Sequence, residues 1–214
     1  MKKFLNAILA ICLALFVIGS SVIITMNIKS IYYNDIDKLN IESMSNLSRE
    51  DIIENYDYLI DYNLSWKADE FELPSLPSSH NGKIHFEEVR DIFQNLKILT
   101  IITGIISIIG GIIQIRKKEF KFLRNSSILI IVMPVLLAIP IAINFNACFI
   151  MFHKIMFSND YWIFNPEIDP VINMLSETFF MHMGVAILAI MLICSIVLQL
   201  IYRKLKTINY DNLK

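Results

Sequence analysis

The side chains best suited to proton transfer in this chain are its four histidines, His80, His85, His153 and His182. An imidazole with an ordinary pKa of about 6.5 can accept and release a proton near neutral pH. Val89 and Ile92 follow His85 at helical spacing, and Asn146 and Phe149 precede His153 in the same way. The spacing predicts that both histidines lie on helices continuing into apolar segments, where their rings can meet at one depth as an acid and base pair.

The other two histidines favour a structural interpretation to different degrees. His80 stands in a polar stretch rich in proline, serine and glycine, which predicts an irregular loop. His182 stands one turn into an apolar segment, where a hydrogen-bonded structural role and a functional role are equally compatible with the sequence.

Aromatic side chains crowd the stretch around His153: Phe149, Phe152, Phe157, Tyr161, Trp162 and Phe164. A belt of aromatic residues at a membrane interface would account for some of them. Asn159-Asp160-Tyr161-Trp162 and the proline-containing run that follows it hold more polar residues than a belt requires. The composition therefore predicts a rigid loop over a lipid-facing site.

Motifs of several other enzyme classes are missing from the sequence. The chain has no His-Glu-x-x-His metalloprotease helix, no Gly-x-Ser-x-Gly elbow, no P-loop and no dinucleotide fingerprint. We expect no cofactor and no metal, and no nucleic acid partner because the basic clusters have a topological explanation.

Segments that must position these residues are strongly apolar. Hydrophobic residues make up 55 % of the 214 residues, and the mean hydropathy is +0.55. A helix that spans a bilayer needs about 20 apolar residues. The sequence predicts an all-α membrane protein with four transmembrane helices at 1–26, 96–115, 128–149 and 179–202. Two segments are predicted to be extracytoplasmic, a mainly helical cap at 27–95 and an aromatic-rich loop at 150–178. A basic loop at 116–127 and a tail at 203–214 are predicted to be cytoplasmic.

Lysine and arginine residues cluster at one end of these segments. Lys2 and Lys3 precede the first, Arg116 to Arg124 carry five cations after the second, and Arg203 to Lys206 carry three after the fourth. The positive-inside rule therefore predicts a multi-pass cell membrane protein with both termini cytoplasmic and the histidines at the outer leaflet. A cleaved signal peptide is the alternative for the first segment, but its apolar run continues past Gly19 through Ile24, which favours an uncleaved helix.

The cap is predicted to contain an amphipathic helix. Ser48 with Asp51 three residues later is typical of a helix N-cap. Ile52, Tyr56 and Leu59 then recur on one face, which predicts a helix packed as a cover rather than lying on the bilayer.

Three blocks of sequence resemble the bacterial lipoprotein intramolecular transacylases, four-helix membrane proteins with an extracellular cap. They are Leu47-Ser48-Arg49-Glu50, Gly82-Lys83-Ile84-His85-Phe86-Glu87-Glu88-Val89, and the run FHKIMFSNDYWIFNPEIDPVINMLSETFF from Phe152 to Phe180. The likeness covers nearly the whole chain.

This resemblance implies a function and a set of site residues. The expected reaction moves the sn-2 acyl chain of a diacylglyceryl lipoprotein to the free α-amino group of its own N-terminal cysteine, giving a lyso-form lipoprotein. His85 and His153 are the expected catalytic residues. The expected substrate-binding residues are Phe86, Phe149, Phe152, Asn159, Asp160, Tyr161, Trp162 and Asp169.

Two alternatives from other classes remain at this point. One is a metal-dependent membrane hydrolase in which His85, His153 and His182 bind a metal beside Asp160 or Glu88, although no short ligand spacing supports it. The other is a non-catalytic membrane accessory protein whose acidic cap binds a partner.

Overall fold

The structure is a computed structural model that describes residues 2–67 and 70–211. Over these residues every regular element is a helix, and no strand occurs. The helices are α1 (Lys2–Asn27), α2 (Ser30–Lys38), α3 (Ile41–Ser45), α4 (Arg49–Leu64), α5 (His80–Arg116), α6 (Lys121–Ile143), α7 (Phe145–Met156) and α8 (Glu177–Asp211), with a 3₁₀ helix at Pro170–Met174.

Four of these helices, α1, α5, α6 and α8, are long and apolar enough to cross a membrane. The predicted all-α class with four spanning helices is therefore confirmed. α5 runs without interruption from its polar beginning into its apolar part, as the sequence predicted. It begins at His80, so the prediction that His80 lies in a loop is wrong.

The third apolar segment differs from its predicted bounds. α6 ends at Ile143, and α7 begins as a separate helix at Phe145. Between them Asn144 has an extended backbone, and its side-chain oxygen accepts a hydrogen bond from the Ala147 amide at 2.9 Å. An asparagine that caps a new helix cannot also continue the previous one, so His153 lies on α7 and not on an extension of α6.

The chain divides into two compact units. The first contains Met1–Val22, Leu96–Ile139 and Ala186–Lys214. Its helices pack through small and branched side chains such as Ala14, Val17 and Ile130, while many other isoleucines and leucines point outward. Outward apolar side chains on long helices are typical of lipid-facing surfaces, because a bilayer does not penalise their exposure.

The second unit contains Ile23–Asn95 and Pro140–Val185. Its core is aromatic: Tyr32 and Tyr56 stack with ring centroids 3.8 Å apart, and the Tyr32 hydroxyl donates to the Met174 carbonyl at 2.9 Å. Ser48 caps α4, accepting a hydrogen bond from the Asp51 amide at 3.1 Å, and the predicted apolar face of α4 is packed into this core. The predicted N-cap and amphipathic helix are therefore confirmed.

Candidate active site

His85 lies in the second turn of α5, before the apolar stretch 96–115. Only 5 % of its surface is exposed, and its Nδ1 atom has no hydrogen-bond partner. Two rings meet it edge-on, Phe157 at 4.7 Å and Phe164 at 5.5 Å between centroids. The imidazole is thus held by aromatic contacts and retains unused hydrogen-bonding capacity.

His153 lies on α7 and is 8 % exposed. Its Nδ1 atom is 2.7 Å from the carbonyl oxygen of Phe149, one turn earlier. A carbonyl oxygen only accepts hydrogen bonds, so Nδ1 carries the proton and donates it. In the neutral ring the lone pair is then on Nε2, which is the nitrogen available to accept a proton.

The structure brings these two histidines together. Their ring centroids are 5.9 Å apart with an angle of 34° between the ring planes. Phe157 contacts both rings, and Trp162 packs on His153 at 4.8 Å. The two imidazoles therefore form one aromatic-walled site built from α5, α7 and the loop after α7.

Burial keeps both imidazoles neutral. Desolvation, together with the neighbouring His153 ring, lowers the pKa of His85 to about 4. Desolvation also lowers the pKa of His153, although the hydrogen bond to Phe149 acts in the opposite direction. At neutral pH both rings are uncharged, which is the state in which an imidazole accepts a proton.

The loop after α7 is held by the side chain of Asn159. Its Nδ2 group donates to Oε1 of Glu88 at 2.8 Å, and its Oδ1 atom accepts from the Tyr161 amide at 3.0 Å. The Trp162 indole N–H donates to the Asn159 carbonyl at 3.2 Å. Asn159 thus fixes the loop, whereas the neighbouring Asp160 side chain is exposed.

Aromatic residues predicted to bind substrate occupy two different environments. Phe86 is buried and stacked between Phe71 and Phe164, at 4.5 and 5.5 Å. Phe149 packs on His153 at 4.0 Å, and Phe152 touches the edge of the same ring while remaining 51 % exposed. Phe86 therefore shapes the wall, and Phe149 and Phe152 lie where a bound chain could be contacted.

Asp169 is a structural neighbour of the site. Its two carboxylate oxygens accept hydrogen bonds from the Ser79 amide at 2.7 Å and the Ser79 hydroxyl at 2.8 Å. The Ser79 hydroxyl oxygen in turn accepts from the Gly82 amide at 2.9 Å. Asp169 therefore anchors the beginning of α5, two turns or less from His85.

His182 and His80 lie outside the histidine pair. His182 Nδ1 is 2.8 Å from Oδ2 of Asp35, whose side chain is 4 % exposed, so His182 joins α8 to α2. His80 is exposed at the start of α5. Within residues 2–67 and 70–211, no three histidine, cysteine, aspartate or glutamate side chains form a group able to hold a metal ion.

The sequence singled out Phe164 and Glu88 but did not assign either of them to substrate binding. Asp35 was not singled out, because its partner His182 is far away in the chain. Glu88 follows His85 by three residues on a helix, and that spacing alone indicates that the two side chains share a face.

The chain matches a known protein family and is similar to solved structures. The family model "Lipoprotein intramolecular transacylase Lit" matches residues 7–180. A solved structure of the membrane integral lipoprotein intramolecular transacylase Lit from Bacillus cereus is 39% identical, with a TM-score of 0.93 over 100% of this chain and 99% of that one. A comparison with curated proteins gave no match.

Two further structures of the same Bacillus cereus protein are also similar. One contains a histidine-to-arginine mutation, with 39% identity and a TM-score of 0.91 over 99% of this chain and 95% of that one. The other contains a histidine-to-alanine mutation, with 38% identity and a TM-score of 0.90 over 100% and 96%.

Proposed function

The chain belongs to the lipoprotein intramolecular transacylase family, and on that premise we propose that His85 and His153 perform the proton transfers of its reaction. The protein is a multi-pass membrane enzyme that transfers an acyl group within a lipoprotein molecule. The hydrolase and accessory-protein alternatives are set aside by this membership.

The proposed substrate is a lipoprotein whose N-terminal cysteine carries a diacylglyceryl group and a free α-amino group. The amine attacks the carbonyl carbon of the sn-2 ester, a C–N bond forms, and the C–O bond to glycerol breaks. One proton leaves the nitrogen and one joins the glyceryl oxygen, so the products are an amide and an alcohol. Nucleophile and ester belong to one molecule, and the enzyme needs no nucleophile of its own.

His153 is assigned as the base that takes the proton from the nitrogen. The observation that carries this assignment is the 2.7 Å hydrogen bond from Nδ1 to the Phe149 carbonyl, which fixes the tautomer. The Nε2 lone pair is then directed by a rigid helix. Base catalysis of this kind contributes about 10² to 10⁴ in rate.

His85 is assigned to passing to the glyceryl oxygen the proton that His153 took from the nitrogen, accepting that proton on one ring nitrogen as it donates from the other. Nitrogen and oxygen are bonded to the same carbon in the tetrahedral intermediate, so substrate atoms lying between two rings 5.9 Å apart reach both of them. His153 accepts one proton from the nitrogen, and the glyceryl oxygen requires one proton. Both imidazoles therefore return to the neutral state that burial favours.

Aromatic and polar residues around the pair are proposed to hold the substrate. Phe149, Phe152, Tyr161 and Trp162 offer apolar surface to the acyl chains, and the exposed Asp160 is available to polar parts of the lipoprotein. Phe86, Asn159 and Asp169 act through other residues of the wall. Exclusion of water by this wall favours the amine over water as acyl acceptor.

The active site is proposed to face the outer leaflet. The supporting pattern is the placement of basic residues at the opposite ends of the four apolar helices, with both termini on the cytoplasmic side.

Blocking the substrate's amine tests this proposal. Purified enzyme is incubated with matched diacyl lipopeptides that have a free or an acetylated N-terminus, and tandem mass spectrometry locates the acyl chains. The free peptide should give the N-acylated lyso-form, whereas the acetylated peptide should keep both esters because an amide nitrogen has no available lone pair. Release of free fatty acid from the blocked peptide would show that water is the acceptor and would refute the proposal.

A further inference from the structure

A cavity of about 440 Å³ adjoins the histidine pair and has no role in the proton transfers described above. It is lined by Glu88, Asp91 and Ile92 of α5 and by Lys154, Phe157 and Ser158 at the end of α7 and beyond it. Phe157 also contacts the rings of both histidines. Phe157 is therefore shared by the wall of this cavity and the wall of the histidine site.

Only one of the two carboxylate oxygens of Glu88 has a hydrogen-bond partner in the protein. Oε1 accepts the 2.8 Å hydrogen bond from Asn159, whereas Oε2 is buried and has no hydrogen-bond partner. Buried polar atoms are nearly always hydrogen-bonded, because an unsatisfied one costs free energy. An ionised carboxylate only accepts hydrogen bonds, so the missing partner must be a donor.

Glu88 lies close to His85 along α5. Glu88 follows His85 by three residues on α5, so the two side chains share one face of the helix. Lys154 lines the same cavity, but in the part of the chain that the structure describes it forms no ion pair with Glu88 or Asp91. Two carboxylates and one ammonium leave the cavity with an excess of negative charge.

We propose that Glu88 binds the α-ammonium group of the substrate's N-terminal cysteine through its free Oε2 atom. The inference rests on the function proposed above, because it names the group by which the same site recognises its substrate. An ammonium offers several N–H donors and a full positive charge, and hydrogen bonds between charged groups are about twice as strong as neutral ones. The bound ammonium gives up one proton to solvent before the attack, so the neutral amine is the form that reacts, and its second proton follows the route through the histidines. The amide of the product is uncharged and has one N–H, so Glu88 favours substrate over product.

Asn159 acts as a positioning residue for Glu88 in this arrangement. Its side chain occupies Oε1 and leaves Oε2 as the available acceptor. Because Asn159 also holds the loop through Tyr161 and Trp162, the position of the loop and the orientation of the carboxylate are coupled.

The test measures binding without reaction. An ether-linked analogue of the diacylglyceryl cysteine peptide, which has no ester to transfer, is prepared with a free or an acetylated amine and titrated against the purified full-length enzyme at neutral pH. The wild-type enzyme should bind the free amine on the order of tenfold more tightly than the acetylated form, as expected for one charge-assisted hydrogen bond. In Glu88→Gln, which keeps the size and the oxygen acceptor for Asn159, this ratio should fall to about one.

Two further variants serve as controls for Glu88→Gln. Asp91→Asn removes a carboxylate of the same cavity and should preserve the preference for the free amine. Glu88→Asp keeps a carboxylate on a shorter side chain and should show part of the wild-type preference for the free amine. This second variant provides the measurement if Glu88→Gln fails to fold. No preference in the wild type, an unchanged preference in Glu88→Gln, or its loss in Asp91→Asn would overturn the inference. Acyl transfer that persists in His153→Ala would instead refute the proposed function, and it leaves the binding ratio unaffected.

Discussion

At the scale of single residues, His85 and His153 differ in how their nitrogens are used. The Nδ1–H group of His153 donates a hydrogen bond to the Phe149 carbonyl, whereas Nδ1 of His85 has no hydrogen-bond partner. The rings lie 5.9 Å apart between aromatic walls. This asymmetry supports one base with a fixed tautomer and one ring whose unpartnered nitrogen is available to the substrate.

Replacing either histidine by alanine should remove most of the activity. We expect His85→Ala and His153→Ala each to lower the rate of lyso-form production by about 10² to 10⁴, because each removes one proton-transfer step. Mass spectrometry of the lipopeptide product gives the rate, and thermal unfolding in detergent checks that the variants are folded.

The matched control for these variants is His80→Ala. His80 is exposed and begins the same helix, so its replacement should leave the rate within about twofold of wild type, as surface changes usually do. Full activity in either His85→Ala or His153→Ala would contradict the proposed roles.

The pH dependence follows from the direction of the two histidine pKa shifts. Burial lowers both pKa values below the ordinary value, so both rings are neutral above about pH 6.5. The substrate amine has an ordinary pKa of about 7.7 to 8.0. We expect kcat/KM to rise with pH until about pH 8 and then to reach a plateau, because all three groups act in their neutral form.

A bell-shaped profile is the opposing outcome. If His85 had to enter the reaction protonated, the rate would fall as pH rises above its lowered pKa. Initial rates with one lipopeptide between pH 5 and pH 9 (about one unit per step) decide between the two shapes.

At the scale of elements, the beginning of α5 depends on Asp169. Both carboxylate oxygens bind Ser79, which caps the helix on which His85 lies. A Cβ atom on Gly82 would lie 2.5 Å from Oδ1 of Asp169. No side chain can be added at Gly82 unless this carboxylate moves away from Ser79.

Gly82→Ala should therefore lower both stability and activity. Loss of the buried Asp169 hydrogen bonds is expected to cost about 1–3 kcal/mol, measured by chemical or thermal unfolding, with a lower rate because His85 is displaced. Gly184→Ala is the matched control, since nothing lies within 4 Å of the added Cβ atom and alanine favours a helix. Equal stability of the two variants would show that the Asp169 contact is dispensable.

The break between α6 and α7 also acts at the scale of elements. α7 has its own N-cap at Asn144, so the direction of His153 is set by a short helix that is separate from the spanning one. A single long helix was the simpler interpretation of the apolar run, because Asn144 is an uncharged residue in an otherwise hydrophobic stretch. The competing side-chain hydrogen bond to Ala147 decided the local structure.

At the scale of the whole molecule, the topology is open to direct measurement. In a variant without Cys12, Cys148 and Cys194, a cysteine introduced at Glu42 or Glu167 should react with a membrane-impermeant reagent added to intact cells. One introduced at Asn125 should react only after the cells are opened. The expectation follows from the basic residues that flank Asn125 and from the exposure of all three positions.

Glu42, Glu167 and Asn125 are all exposed, so a cysteine at any of them is accessible to reagent on its own side of the membrane. Asn63 lies in the predicted outer segment but is only 5 % exposed, so a cysteine there would report burial instead of sidedness. Labelling of Asn125 from outside would reverse the proposed orientation and place the histidine pair at the inner leaflet.

Local features of the molecule followed from the sequence alone. The four spanning helices, the Ser48 cap, the apolar face of α4 and the continuity of α5 depend on residue type and on neighbours a few positions away, which a sequence displays directly. The two histidines were identified for the same reason, since imidazole chemistry is a property of the residue type.

Only the tertiary structure decided which partner each polar group has. Asn159 binds Glu88 across 71 residues, Ser79 binds Asp169 across 90, and Asp35 meets His182 across 147. A hydrogen bond is limited to about 3 Å and to a narrow range of angles, so its partner depends on how distant segments pack and not on spacing along the chain. The family resemblance implied Asn159 and Asp169 as substrate contacts, and only the folded chain shows that their side chains bind Glu88 and Ser79.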